Sequence, residues 1–264
     1  MTMGRHPFRA VLDRFLGRKK AASESPEIET IVQELLMLLE SHDKETYHHS
    51  RRVANYAVLM AQRLGITGER LCSLYYGASL HDIGKLDIPK EILTNRRTLR
   101  QRLRGVEAAL TGEQIETIKN HPVAGYERLI KLAVKEEIAE VALYHHKNKD
   151  GYPAEKDLAW FGKEDYPSIP LLAAVAEREG QEYVPLLPEV VSVADTFDAI
   201  TGPRVYQKQR TKEEALEVLR AGIGTEYDGS CVAALEDVIE KNEDIIEILQ
   251  LYPLTGPLGS FSRS

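Results

Sequence analysis

Residues 71–85 read LCSLYYGASLHDIGK, and the fold class follows from how that stretch is patterned. Leu71, Leu74, Ala78 and His81 step by three and four residues, the spacing of one face of an α-helix, so His81 continues an apolar stripe. We read a helix from Thr67 to about Gly84. The same pattern recurs on either side. Val53, Tyr56, Met60 and Leu64 share a face with His49 on a helix from about Glu45 to Leu64. Ser25-Pro26 supplies an N-cap and an N1 proline to an earlier helix, whose stripe is Ile28, Ile31, Val32, Leu35, Leu36 and Leu39. Thr111 with Gln114 is a capping-box pair opening a helix toward His121, and Thr211 with Glu214 is another. Further helices are expected over about Val134 to His146 and Ser230 to Leu251. Val190 to Val193 is short enough to be a strand or part of a helix. No sustained period-2 pattern and no internal repeat occurs, so the expected fold class is all-α.

The chain of 264 residues is 43% hydrophobic and 28% charged, the balance of a soluble globular protein with a substantial core. Its net charge of -7 argues against a DNA-binding protein, which usually leaves a basic footprint. Two cysteines, Cys72 and Cys231, exclude a disulfide scaffold and fit a cytoplasmic setting. No apolar run approaches the ~18 residues of a transmembrane helix, and no secretory signal precedes the first helix.

Three segments stand apart. Residues 1–23 form a basic tail or a short amphipathic helix. The first twenty hold six basic residues against Asp13, a charge of +5, which leaves -12 for the remainder (28 bases, 40 acids). Phe8, Val11, Leu12, Phe15 and Leu16 recur at helical spacing there, so weak contact of residues 5–20 with a membrane surface or a partner is one reading. Residues 94–108, with Arg96, Arg97, Arg100, Arg102 and Arg104, and residues 154–189 read as two long inserted connections. The arginines either attract an anionic substrate or form a solvated basic loop. Residues 24–252 make the main domain and 253–264 a C-terminal tail.

Chemistry enters through the ionisable groups on apolar stripes. His121 follows Ile115 and Ile118, His145 follows Ile138 and Ala142, and Asp195 and Asp198 extend the line of Val191 and Ala194. Counting His49 and His81, five helices each direct a histidine or carboxylate inward. Each alone reads as a hydrogen-bonded core residue. Together, left unpaired, they would cost several kcal/mol each, and shared cations remove that cost. Imidazole and carboxylate donors suit Fe, Mn, Ni or Zn, and the mixed set leans toward Fe or Mn. Glu45 lies one turn before His49, Lys85 one turn after His81, and His145-His146 repeats the adjacent pair His81-Asp82. Such a site can activate a water and clamp a phosphoryl group.

These residues resemble the HD superfamily of metal-dependent phosphohydrolases, and within it the HD-GYP subfamily. The blocks that carry the resemblance are His49-Ser50-Arg51-Arg52-Val53, the HDxGK segment His81 to Lys85, His121-Pro122 with Gly125, His145-His146 with Asp150-Gly151-Tyr152-Pro153, and Val193-Ala194-Asp195-Thr196-Phe197-Asp198-Ala199. The resemblance implies an all-α HD-domain helical bundle that hydrolyses the cyclic dinucleotide cyclic di-GMP to the linear dinucleotide and/or GMP. It implies His49, His81, Asp82, His121, His145, His146 and Asp195 as ligands of two or three divalent ions, Fe or Mn before Ni, Zn or Mg, with Glu45 as the added carboxylate of a third. Asp82 and Lys85 would be catalytic, and Arg204, Lys208 and Tyr152 would bind substrate. A signalling protein or a second copy of the chain would be the protein partner. Two features depart from the family: Lys147 stands where many members have Glu, and the GYP loop is shortened. The alternatives are therefore hydrolysis of another nucleotide or phosphoester, or a module that binds a cyclic dinucleotide with little turnover.

Overall fold

The computed structural model describes residues 26–93, 111–146, 187–202 and 210–241. The basic segment 1–23, the insertion 94–108, Tyr152, Arg204, Lys208 and the tail from residue 242 lie outside them, as do residues 154–186 of the second insertion, whose last three residues, 187–189, prove instead to open a helix. The described residues form helices α1 (Pro26–His42), α2 (Lys44–Arg63), α3 (Gly68–Leu80), α4 (Gly112–Lys119), α5 (His121–Lys131), α6 (Glu136–Tyr144), α7 (Leu187–Thr201), α8 (Lys212–Ala221) and α9 (Gly229–Lys241), with a 3-10 turn over Ile83–Asp87. No β-strand occurs among the described residues, and Val190 to Val193 is helical. No helix among them is long and apolar enough to cross a membrane.

Helix α2 is the axis of the bundle. Every residue from Ser50 to Ala61 is buried, including the polar ones, because α1, α3, α7 and α9 pack around it. A helix buried on all sides is a core helix; its first turns, with Glu45 and His49, remain partly open, and Arg63 at its end is exposed. Tyr56 meets Phe197 of α7 edge to face, with centroids 5.2 Å apart. Arg51, fully buried, stacks over the Tyr75 ring of α3 at 5.6 Å. Cys72, Tyr75 and Tyr76 are packing residues of the core cluster, as the stripe indicates. At Gly77 helix α3 crosses α6 so closely that a Cβ would lie 2.6 Å from a Val141 methyl.

Both capping boxes form: Thr111 accepts from the Gln114 amide and Thr211 from the Glu214 amide, each with the reciprocal side-chain bond. The dipeptide His42-Asp43 closes one helix and opens the next. Asp43 Oδ2 accepts from Thr46 Oγ1 (2.6 Å), and the His42 ring donates to the Ile88 carbonyl (3.0 Å).

Three expectations beside the histidines need correction. Helix α3 ends at Leu80 instead of Gly84, and His81 is its C-cap. Helix α6 ends at Tyr144, so His145 and His146 sit in the following turn. His121 opens its own helix, since α4 stops at Lys119, and Ile115 is 41% exposed instead of buried. The physical reason at α3 is Gly84. A Cβ there would lie 1.9 Å from the His121 carbonyl oxygen, so the chain must leave its helix to lay bare backbone against α5.

Glu140 on α6 supplies a pH test of this packing. Burial, then the charges of Glu136 and Glu137, push its pKa from 4.5 up to about 7. The folded state thus binds this proton more tightly than the unfolded chain, and its stabilising effect is lost as pH rises from about 4.5 through 7. Glu140→Gln is expected to melt higher than the parent at pH 8. The gap should shrink on acidification and vanish near pH 4, a trend that thermal melts across the series will read.

Candidate metal centre

The helix ends converge on one buried pocket of imidazoles. His81, His121 and His145 are each 1% exposed. Each turns Nδ1 onto a carbonyl one turn back: His81 onto Ala78 (2.7 Å), His121 onto Ile118 (2.7 Å), His145 onto Ala142 (2.9 Å). A ring nitrogen beside a carbonyl oxygen must carry the proton, so the tautomer is set and Nε2 holds a lone pair. All three Nε2 atoms face inward. His121 Nε2 and His145 Nε2 stand 3.3 Å apart, and His81 Nε2 has no hydrogen-bond partner. Converging lone pairs repel unless something positive lies between them. Burial accordingly depresses the pKa of His121 to about 4 and that of His145 well below its ordinary value, with neighbouring histidines adding to the second shift.

Asp82 divides this pocket. Its Oδ1 is 3.2 Å from His121 Nε2, while Oδ2 is 3.4 Å from His81 Nε2 and 3.8 Å from His49 Nε2. One carboxylate therefore faces two sets of donors. His49, His81 and Asp82 bring one ligand atom each within 4.8 Å of one another, and so do His121, His145 and His146. Burial opposes ionisation of Asp82, yet Lys85, His81 and His121 hold its pKa well below the usual carboxylate range. Lys85 Nζ donates to Asp82 Oδ2 at 2.5 Å from a position 15% exposed, which sets the ammonium at the rim.

His49 is oriented differently. Its Nε2 meets Asp195 Oδ1 at 2.9 Å and its Nδ1 meets Asp198 Oδ2 at 2.7 Å. Burial works to lower its pKa, but the two carboxylates outweigh burial and raise it to about 9. Asp198 is wholly buried and accepts two bonds from Arg52, Nε to Oδ1 (2.7 Å) and Nη2 to Oδ2 (2.9 Å). The chain Arg52–Asp198–His49 fixes the ring that faces the pocket.

The structure thus brings together His49, His81, Asp82, His121, His145, His146 and Asp195, with Lys85 at the edge. Glu45 is half-buried on the turn before His49 and belongs to neither group of three. Asp198 lies on an inward stripe as expected, but its role and that of Arg52 as partners of His49 are what the sequence reading left unassigned. The signal was present in their spacing: Arg52 is three residues from His49 and Asp198 three from Asp195, each on its partner's helix face. The donor set fits a metal: the Nε2 lone pairs of His81, His121 and His145 converge with the ionised Asp82, whose Oδ1 and the His81 Nε2 have no hydrogen-bond partner among the described residues. Replacing Asp198 with Asn is expected to cost about 2 kcal/mol, because Arg52 keeps only a neutral partner. It should also weaken metal binding ~10–100-fold by loosening His49, as titration with Mn(II) and thermal melts will show.

Comparison with known proteins adds to this geometry. Residues 46–200 match the family model of the HD domain. A cyclic di-GMP phosphodiesterase of Thermotoga maritima is 29% identical over 237 residues, covering 88% of this chain and 56% of its own length. The cyclic di-GMP phosphodiesterase response regulator RpfG of Xanthomonas campestris pv. campestris is 31% identical over 219 residues, with coverages of 80% and 48%. The chain spans about half the length of these curated relatives. Among solved structures, the HD domain of L. monocytogenes phosphodiesterase PgpH aligns with a TM-score of 0.51 at 22% identity, over 81% of this chain and 98% of that one. The same domain in complex with cyclic-di-AMP aligns with a TM-score of 0.50, over 80% and 97%. At this identity the match is one of fold: an all-α bundle of the same architecture.

Proposed function

The chain belongs to the HD domain family, and from that premise we propose that it is a metal-dependent phosphodiesterase hydrolysing cyclic di-GMP to the linear dinucleotide and/or GMP. The relatives named above support its grouping with the HD-GYP proteins. The observation that carries the reading is the set of buried Nε2 lone pairs turned on one another across Asp82.

His49, His81, Asp82 and Asp195 would hold one cation, and His121, His145, His146 and Asp82 a second. Glu45 is the donor for a third. The mixed imidazole and carboxylate set favours Fe or Mn over Ni, Zn or Mg. Such ions, when bound, supply Lewis acidity and an activated water for an in-line displacement at phosphorus. The protein's own groups do the rest. Asp82, buried and ionised, holds the two donor sets in register. Arg52 and Asp198 keep the His49 ring aimed inward. Lys85, one turn after the HD pair, moves its ammonium from Asp82 to a phosphate oxygen or to the attacking water, and stabilises the charge that develops there. Arg204 and Lys208 follow α7 in sequence and are assigned to phosphate or guanine, and Tyr152 to base stacking. Partner roles for a signalling protein or a second copy belong to the same proposal.

A second reading is hydrolysis of a different cyclic dinucleotide, favoured by the cyclic-di-AMP bound to the PgpH domain of the same fold. The two are separated by a substrate panel. With Mn(II)-loaded protein, cyclic di-GMP is expected to be consumed at least about tenfold faster than cyclic-di-AMP, a difference of ~1.4 kcal/mol in barrier. The reverse ratio selects the second reading. Binding of both without turnover by either selects the weak-turnover module that Lys147 suggests.

A further inference from the structure

Helix α1 buries Val32, Leu35, Leu36 and Leu39 in the core and leaves an apolar pair on its outer side. Met37 is 68% exposed and Leu38 52%, and Ile31 on the preceding turns is half-buried. The same helix carries Glu27, Glu29, Glu34 and Glu40 and no Lys or Arg. Glu34 is exposed one turn before the apolar pair, and Glu27 is exposed in the first turn of the helix, beside Ile31. The outer face is thus apolar at its centre and acidic at its margins. Residues 5–20 of this chain are its complement in both respects, with Phe8, Val11, Leu12, Phe15 and Leu16 at helical spacing and six basic residues against Asp13.

We propose that residues 7–20 form a helix that folds back antiparallel onto the outer face of α1. Pro7 suits the first turn of such a helix. Residues 21–25 are a connection of the length that joins two antiparallel helices. With that loop, Lys19 comes beside Glu27, Phe15 beside Ile31, and Phe8 beside Leu38, while Arg9 and Arg5 approach Glu34 and Glu40. The segment is short and contains Gly17, so it is marginal as an isolated helix and needs an apolar face to fold on. Tethering to α1 holds that face at an effective concentration on the order of mM, which favours the chain's own segment over a second copy or a membrane.

The test is a register-specific disulfide in the full chain. Phe8→Cys with Leu38→Cys, oxidised with diamide, is expected to close within one molecule, because facing positions on packed helices satisfy disulfide geometry. Cys72 and Cys231 are buried and do not compete. Phe15→Cys with Leu38→Cys, out of register by roughly 10 Å along the helix, is expected to close at least ~10-fold more slowly. Independently, Met37→Asp with Leu38→Asp should raise the rate of trypsin cleavage within residues 5–20 by at least about tenfold. A bond only between molecules would mean that a second copy covers the face, and would overturn the proposal. So would equal closure of both pairs, or co-sedimentation of the parent chain with phosphatidylserine vesicles that is lost when residues 1–20 are removed. Absence of any bond together with an unchanged cleavage rate overturns it as well.

Discussion

Replacing Asp82 with Asn is expected to remove cyclic di-GMP hydrolysis by more than ~100-fold and to lower bound metal by at least about half, with the fold retained. The side chain keeps its shape, so the core has no cavity to fill. What it loses is the second anionic oxygen. Asp82 is the residue whose two oxygens face different donor sets, Oδ1 toward His121 and Oδ2 toward His81 and His49. An amide can present an oxygen to one set only, and it turns an N–H toward the other. Lys85, which donates to Oδ2 at 2.5 Å, keeps at most a neutral partner. It has solvent access, so the stability loss stays small beside the functional one. Elemental analysis and a chromatographic assay on the same preparation read both effects.

Gly84→Ala is expected to cost about 3 kcal/mol or more and to lower the melting temperature by roughly 6–12 °C. The added methyl would lie 1.9 Å from the His121 carbonyl oxygen and 2.6 Å from the Gly125 amide nitrogen, and both are backbone atoms that cannot rotate away. Relief requires α5 and the 3-10 turn to separate. That motion carries His121 away from Asp82, so metal content should fall together with stability. A variant that melts with the parent and retains its metal would show that the close approach is not needed.

These two positions also mark how far the sequence can be read. The helical stripes identify α1, α2 and α3 and the inward direction of His49, His81 and Asp195, because burial on one helix face leaves a period that needs no tertiary knowledge, whereas the short apolar run at the start of α7 leaves helix and strand open. The caps at Thr111 and Thr211 were equally legible, since a capping box is a local device. The helix ends at Leu80 and Tyr144 were not. His81 keeps helical dihedrals of -54° and -33° and His145 of -60° and -19°, so the stripe persists one residue past the last residue of each helix. Periodicity reports direction, and it is blind to where a ladder of hydrogen bonds stops. The Arg52–Asp198 pair was hidden for a different reason. Each residue is typical of its own helix, and only the packing of α2 on α7 makes Arg52, Asp198 and His49 one unit. Glu45 is the converse case: the helix spacing sets it beside His49, yet neither cluster includes it. The pairing of donor sets across Asp82 required coordinates, because it joins the ends of α2, α3, α5 and α6.

The central claim is that the imidazoles turned toward Asp82 hold the cations that hydrolyse a cyclic dinucleotide. Its most direct measurement is cyclic di-GMP turnover by anaerobically purified protein, reconstituted with Fe(II) or Mn(II) and then stripped with a chelator. The account predicts that linear dinucleotide or GMP appears with the loaded protein, ceases on chelation and returns on adding metal back, while Asp82→Asn stays inactive throughout. Turnover indifferent to chelation, or cyclic di-GMP left intact by protein that has taken up its full complement of metal, would contradict it.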